Sequence, residues 1–196
     1  MPNERDIQAA QTAASLENLA IAVYNQATQL PFMQNIPDPA GATVTAFVTK
    51  TVQQHTEHAA AFNAAATRLG GQAQDKPDQA VLDAVVTPAL PTLKTPLDVV
   101  KFAADLELVA AETYLSATAE VTDKDLRNTF ASIMGVENQH RSVLLAVAAL
   151  LDAGHPELVM LGPPADQLPE AAGSVGFPDP FLKTDQARML TEGAVK

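Results

Sequence analysis

Pairs of ionisable residues one helical turn apart are the features of this sequence that could do chemistry. Glu137 and His140 are three positions apart, and His55 and His58 repeat that spacing. Residues three apart share one face of a helix, so each pair would point two side chains the same way. Carboxylate oxygens and imidazole nitrogens suit iron or manganese, with zinc as a lesser alternative. The spacing therefore predicts metal ligands on two helices.

Two further glutamates, Glu17 and Glu107, are surrounded by apolar residues at helical spacing. A lone buried carboxylate is costly unless it is paired or protonated, so each needs a partner. One glutamate from each of two helices, with a Glu-x-x-His turn from each of the other two, is the ligand set of di-metal helical bundles. Tyr24 and Tyr114, each seven residues after a glutamate, could hydrogen-bond these carboxylates.

Helical periodicity predicts four long helices that would carry these residues. Prolines and glycines separate the periodic stretches, and Gly70 follows the second one as a helix stop. Thr95 with Pro96 is a candidate start for the third helix, and Thr122 or Asp123 for the fourth. The predicted helices cover residues 6–29, 42–69, 97–119 and 123–152.

The predicted fold is all-α, an antiparallel four-helix bundle with a long crossover between helices two and three. The crossover, residues 72–96, contains four prolines and one apolar cluster, which favours a short connecting helix. Residues 1–153 would form the bundle domain, and the Pro- and Gly-rich tail, residues 154–196, would pack irregularly on it. Apolar anchors expected in the tail are Leu158, Phe177, Phe181 and Leu182, and a brief helix is expected near 182–191.

The composition narrows the classes of function. With 12 basic and 23 acidic residues, the 196-residue chain has a formal net charge of −11, which argues against nucleic acid as a partner. The absence of cysteine excludes disulfides and thiolate metal sites. No run of about 18 apolar residues occurs, so membrane insertion is not expected. A hydrolase is unsupported, because no phosphate loop or Ser/His/Asp order is recognisable.

The first and third predicted helices carry similar sequences. Residues 15–24 and 105–114 align without gaps, and Leu, Glu, Ala and Tyr recur in register. A repeated helix pair arranged about a pseudo-twofold axis would produce this pattern. Chance similarity between two alanine-rich helices is the alternative.

Taken together, these motifs resemble the ferritin-like superfamily, and more narrowly the bacterial ferritin-like domain proteins, many of which are exported. The resemblance covers about residues 6–153, and rests on Ser-Leu-Glu-x6-Tyr at 15–24, His-Thr-Glu-His-Ala-Ala-Ala-Phe at 55–62, Leu-Glu-x6-Tyr at 106–114 and Glu-Asn-Gln-His at 137–140. It implies a di-iron centre, iron binding and oxidation by dioxygen or peroxide. The metal ligands that it implies are Glu17, His58, Glu107, Glu137 and His140.

One position departs from the family's pattern. The second helix of the family usually carries Glu-x-x-His, whereas this chain has His55-x-x-His58. Glu57 could supply the missing carboxylate, but it lies about 100° around the helix from His58. With three carboxylates and three histidines, including His55 as a candidate ligand, the site could hold iron weakly, hold one metal, or prefer zinc.

Two functions remain open from the sequence. The first is a ferritin-like metal-binding protein, which, if it is an enzyme, would be a di-metal oxidoreductase of the ferroxidase or peroxide-consuming type. The second is a metal-free bundle with a structural, stress-related or interaction role, in which the glutamates pair with histidines across the core. Metal ions are the expected partners, and a homo-oligomer is compatible with the fold. We expect no targeting segment within this sequence; the resemblance suggests a trimmed extracytoplasmic protein, and the cytoplasm is the alternative.

Overall fold

A computed structural model describes residues 4–160 and 180–181 of the chain. Four long helices dominate it, and none of the described residues forms a β-strand. The prediction of an all-α fold is confirmed. The long helices are α1 Glu4–Ala27, α2 Ala40–Arg68, α3 Pro96–Glu120 and α4 Lys124–Asp152.

The ends of these helices follow the local chemistry that the sequence indicates. The Thr95 side chain accepts a hydrogen bond from the backbone N–H of Asp98, and the Asp98 side chain accepts one from that of Thr95. Asp123 caps α4 by accepting from the backbone N–H of Leu126. Such caps satisfy amide groups that the helix leaves unpaired, and each stabilises a helix by about 1 kcal/mol.

Helices α1 and α3 run in opposite directions. The Tyr24 hydroxyl, late in α1, donates to Glu107 in the first half of α3. The Tyr114 hydroxyl, late in α3, donates to Glu17 in the middle of α1. Residue numbers therefore rise along one helix while they fall along the other.

Helices α2 and α4 are antiparallel in the same way. Arg68 at the end of α2 forms an ion pair with Asp123 at the start of α4. Gln54, earlier in α2, contacts His140, later in α4. Helices α1 and α2 form one hairpin, and α3 and α4 form the other. Each of the two antiparallel pairs, α1 with α3 and α2 with α4, therefore takes one helix from each hairpin.

The crossover between α2 and α3 runs along the bundle as a series of helical turns. Its start is held by the backbone N–H of Asp78, which donates to the carbonyl of Ser15. Farther along, Val86 is buried against Leu19 and Val23 of α1. The predicted short connecting helix is thus a chain of four turns, Gln79–Val81, Leu82–Val86, Thr87–Ala89 and Leu90–Thr92.

Two apolar clusters occupy the bundle interior and leave a polar layer between them. In one, the rings of Phe62, Tyr114 and Phe130 pack with centroids 4.9–5.6 Å apart. The other contains Phe47 and Leu144. The polar residues that the sequence places on inward faces lie in the layer between these clusters, where apolar packing excludes water.

The described part of the tail is short. Leu158 is largely exposed, whereas Phe181 packs against the first apolar cluster. Phe177, Leu182 and the helix expected near 182–191 lie outside the described residues, so that expectation stays a prediction. Within the described ranges, no helix has the length and apolar character needed to cross a membrane.

Candidate metal centre

Six ionisable side chains from the four long helices converge in the polar layer. Each is at most 3% exposed. α1 and α3 contribute one glutamate each, α2 contributes two histidines, and α4 contributes a glutamate and a histidine. These side chains, called the centre below, are Glu17, His55, His58, Glu107, Glu137 and His140.

One half of the centre is formed by Glu17, His55, His58 and Glu137. His55 Nδ1 lies 2.7 Å from Glu17 Oε2, and His58 Nδ1 lies 2.8 Å from Glu137 Oε1. Each of these four residues offers one ligand atom, and the four atoms all lie within 4.8 Å of one another. That spacing places four donors around one point where a cation could bind.

The other half is formed by His55, Glu107, Glu137 and His140. His140 Nδ1 lies 3.1 Å from Glu137 Oε2 and 3.7 Å from Glu107 Oε1. His55 Nε2 lies 3.5 Å from the same Glu107 oxygen. These four residues also form a compact group, so His55 and Glu137 belong to both halves. The arrangement could hold a metal in either half.

Three buried atoms of the centre lack a hydrogen-bond partner among the described residues, which supports a metal ion as their partner. His55 Nε2, His58 Nδ1 and Glu137 Oε1 make no hydrogen bond to any described residue. The short approach between His58 and Glu137 does not have hydrogen-bond alignment. Buried polar atoms without a partner are costly, and a cation accepting their lone pairs would remove that cost. The donor set thus fits a metal ion.

Two tyrosines hold the carboxylates of α1 and α3. Tyr24 Oη donates to Glu107 Oε1 at 2.5 Å, and Tyr114 Oη donates to Glu17 Oε1 at 2.5 Å. Burial and the adjacent carboxylates raise the pKa of both phenols well above 10. The hydroxyl groups therefore stay protonated and orient the glutamates. Glu17 presents its other oxygen, Oε2, to the histidines, whereas in Glu107 the oxygen that accepts from Tyr24 is also the one that faces His55 and His140.

Two of the histidines contact a polar group through the ring nitrogen that faces away from the centre. His140 Nε2 lies 2.8 Å from Gln54 Oε1, and His58 Nε2 lies 2.8 Å from the carbonyl oxygen of Pro180. Donation from Nε2 leaves Nδ1 of each ring facing the centre as a ligand atom, a common arrangement at metal sites. The ring of Phe181 packs on His58 with centroids 5.7 Å apart.

Sequence reasoning missed both of these holding groups. Gln54 shares the inward face of α2 with His58, four residues later, and that spacing was an available signal. Nothing in the sequence links Pro180 to His58, because the contact spans 122 positions. Glu57, the candidate extra carboxylate, belongs to neither four-residue group and accepts a hydrogen bond from Gln53.

Charges inside the centre strongly perturb its titration. Burial alone would raise the pKa of Glu17, but His58 and His55 lower it to about 2. Burial would likewise raise the pKa of Glu107, yet His55 and His140 hold it well below 4.5. Glu17 and Glu107 are therefore ionised at neutral pH, because they face imidazole rings that can carry positive charge.

The histidines respond in the opposite direction. Burial would lower the pKa of His58, but Glu17 and Glu137 raise it to about 10. The pKa of His55 lies well above 6.5, and that of His140 is also raised, because carboxylates surround both rings. Protons can thus balance the carboxylates, and a metal ion would have to displace them.

Comparison with known proteins agrees with the all-helical fold. The model of the ferritin-like domain family matches residues 5–149, which include all four long helices almost completely. The chain belongs to this family of ferritin-like proteins. Comparison with curated proteins and with solved structures gives no match.

Proposed function

We propose that this protein binds iron at the centre and that bound ferrous iron is oxidised there. The single observation that carries the proposal is the convergence of three glutamates and three histidines from four helices, all of them buried. Oxygen and nitrogen ligands without thiolate suit iron, and they also suit manganese or zinc. Carboxylates stabilise the ferric state because they supply negative charge.

The side chains divide into two binding positions. Glu17 and His58 would hold an ion in the first, and Glu107 and His140 would hold one in the second. Glu137 lies between them, since one of its oxygens faces His58 and the other faces His140. A carboxylate in that place can bind to either ion or to both.

Charge favours one tightly held iron over two. Three carboxylates balance one ferric ion, whereas two ferric ions would leave three uncompensated positive charges in the bundle interior. Buried net charge is costly, so the second position should bind more weakly. His55 strengthens this asymmetry, because it stands where a fourth carboxylate would complete a symmetric pair.

Iron would supply the redox chemistry, because each ferrous ion can give up one electron. Four ferrous ions oxidised in turn, with four protons from solvent, would reduce one dioxygen to two waters, and two ferrous ions with two protons would reduce one hydrogen peroxide to two waters. The chain's own residues have other tasks. Tyr24 and Tyr114 orient the carboxylates, and the apolar clusters exclude bulk water from the layer. Gln54 holds His140 so that Nδ1 faces the centre.

Metal content and ferrous oxidation test the proposal directly. The full chain is purified without chelators, and its iron, manganese and zinc are measured by elemental analysis. Ferrous iron is then added anaerobically, and its oxidation is followed by absorbance after air is admitted. We expect about one tightly bound ion per chain. A chain that binds no metal even when ferrous iron, manganese and zinc are each supplied would refute it.

A matched pair of variants locates the binding. Glu107→Gln removes a carboxylate from the centre while keeping its shape, and Glu112→Gln makes the same change at an exposed position of the same helix. Binding should be lost or strongly weakened in the first variant and unchanged in the second. Equal binding by both variants would place the metal elsewhere.

The charge balance within the centre favours a second candidate function. Because three imidazole rings with raised pKa values face three carboxylates, the network can be neutral with protons alone. A metal-free bundle could then serve as a structural, stress-related or interaction protein. In that case neither the unchanged chain nor either variant would bind metal, and the chain would fold fully in the presence of a chelator.

A further inference from the structure

An apolar cavity lies at one end of the bundle, beside the metal centre. We call it the end cavity. It is located where α1 and α4 finish and α2 and α3 begin, and its volume is about 230 Å³. All four long helices and the crossover contribute to its walls. Its principal lining residues are Val23, Phe47, Val100, Phe102, Leu144 and Val147.

The walls of the end cavity offer almost nothing for a polar ligand. None of the described residues that line it is charged, and the polar side chains among them belong to Tyr24, Thr28 and Thr43. Two of these are already engaged: the Tyr24 hydroxyl donates to Glu107, and the Thr28 hydroxyl donates to the carbonyl of Asn25. Ordered water needs roughly two to four polar partners, so apolar groups are favoured in this space.

The end cavity has an entrance formed by flexible apolar side chains. Leu158 and Met160 line it and are 55% and 46% exposed, so the lining extends to the protein surface. Met33 also lines it. Methionine side chains are unbranched and adapt to ligands of different shape. A small molecule could therefore enter without unfolding of a helix.

The end cavity also adjoins the centre. Val23, Tyr24 and Ala103 line both the end cavity and a smaller cavity of about 30 Å³. Glu17, His55 and Glu107 border that smaller cavity. A molecule in the end cavity would therefore lie against the ring of Tyr24, whose hydroxyl is bonded to Glu107.

From these observations we propose that the end cavity binds an uncharged aliphatic molecule, of the class of medium-chain alcohols and hydrocarbons. Its volume exceeds the roughly 150 Å³ of an engineered apolar cavity that binds benzene. An anionic chain such as a fatty acid is disfavoured, because no cation lines the described walls and the whole chain carries a net charge of −11. Binding does not require metal, so this inference is independent of the proposed function.

A fluorescence assay on the full, metal-free chain tests the inference. N-phenyl-1-naphthylamine, an uncharged probe that brightens in apolar surroundings, is titrated into the protein and then displaced with 1-decanol or with decanoate. We expect saturable binding of the probe, displacement by decanol, and displacement by decanoate that is weaker by roughly tenfold. Because the full chain is used, an end cavity filled by the protein's own residues would give no binding and overturn the proposal.

Two double variants assign the binding to the end cavity. Ala27→Leu with Ala146→Leu adds side-chain volume to its walls, whereas Ala60→Leu with Ala131→Leu adds the same volume at exposed positions of α2 and α4 that do not line it. Leucine is a good helix former, so both variants should fold, and circular dichroism verifies this. The first variant should weaken probe binding by roughly tenfold or more, and the second should leave it within about twofold. Equal affinities would refute the assignment, and displacement by decanoate as effective as that by decanol would refute the uncharged ligand.

Discussion

His55 on α2 and Glu137 on α4 occupy equivalent places in the centre. Each precedes a histidine on its own helix by three residues, and each belongs to both four-residue groups. The two residues differ in chemistry. Glu137 turns one oxygen to each half, whereas His55 turns Nδ1 towards Glu17 and Nε2 towards Glu107. A neutral imidazole has one free lone pair, so it cannot bind both ions as a carboxylate can.

Replacing His55 by glutamate should therefore increase the metal capacity of the centre. The variant His55→Glu adds a fourth carboxylate, and we expect bound iron or manganese to rise from about one towards two ions per chain. Elemental analysis after equilibrium dialysis measures the stoichiometry. His155→Glu, an exposed change outside the bundle, is the matched control. Unchanged stoichiometry in His55→Glu would show that this position does not limit the second ion.

The tyrosine hydroxyls should contribute to metal affinity from outside the ligand set. Tyr24→Phe and Tyr114→Phe each remove a hydrogen bond that orients a carboxylate, and groups in this role typically change metal affinity by about 10–100-fold. We expect a loss of affinity from each variant, because each hydroxyl donates to a glutamate of the centre. Calorimetric titration with manganese checks this. Full affinity in both variants would mean that the hydroxyls have no part in binding.

Stability of the metal-free protein should fall as the pH rises above neutrality. The pKa of His58 is raised from 6.5 to about 10. A raised folded-state pKa contributes stability that is complete below 6.5 and is lost as the pH rises through about 10. On the acid side, the lowered pKa of Glu17 contributes stability that is lost as the pH falls from 4.5 through about 2. Thermal melts across this pH range measure the loss of stability on both the acid and the alkaline side.

Bound metal should reverse the loss of stability at alkaline pH. Binding requires unprotonated Nδ1 atoms, so metal affinity increases with pH over the interval in which the metal-free protein weakens. The difference in melting temperature between manganese-loaded and metal-free protein should therefore widen from pH 6.5 to 9. His58→Gln should flatten the metal-free profile in this interval. A parallel course of the two profiles would argue against metal in the centre.

Removing Glu107 should destabilise even the metal-free bundle. The sequence alone leaves open whether this carboxylate is only a desolvation burden, in which case Glu107→Leu would be stabilising. In the structure it accepts from Tyr24 and faces His55 and His140. Breaking a buried charge network by deleting one partner typically costs about 3–5 kcal/mol. Urea denaturation should show a loss of this order.

The exposed Glu112 of the same helix provides the control for this measurement. Glu112→Leu should change the free energy of unfolding by less than about 0.5 kcal/mol, as surface substitutions usually do. If Glu107→Leu were instead as stable as the unchanged chain, the charge network would contribute no net stability.

Much of the fold could be predicted from local sequence. The helix starts at Thr95 and Asp123 depend on side-chain caps within a few residues, and the structure confirms both. Helical spacing also places Glu17, His58 and Glu137 on inward faces, because a helix with apolar neighbours on one side buries that side. These are short-range properties, so periodicity is sufficient to find them.

The partners of the tyrosines were decided by tertiary structure. Seven residues along a helix span roughly 10 Å, too far for Tyr24 to reach Glu17 on its own helix. Antiparallel packing of α1 against α3 instead exchanges the partners, so that Tyr24 meets Glu107 and Tyr114 meets Glu17. Which helices pair, and at what register, depends on packing across the bundle that no local pattern encodes.

By itself, then, the sequence determined which residues face inwards, because helical geometry fixes the direction of a side chain from its position. Only the tertiary structure decided how those residues meet. It placed both nitrogens of His55 between two carboxylates, left Glu57 outside the centre and brought Pro180 against His58. These contacts join residues distant in the chain, and they exist only because four helices pack at a particular separation and register.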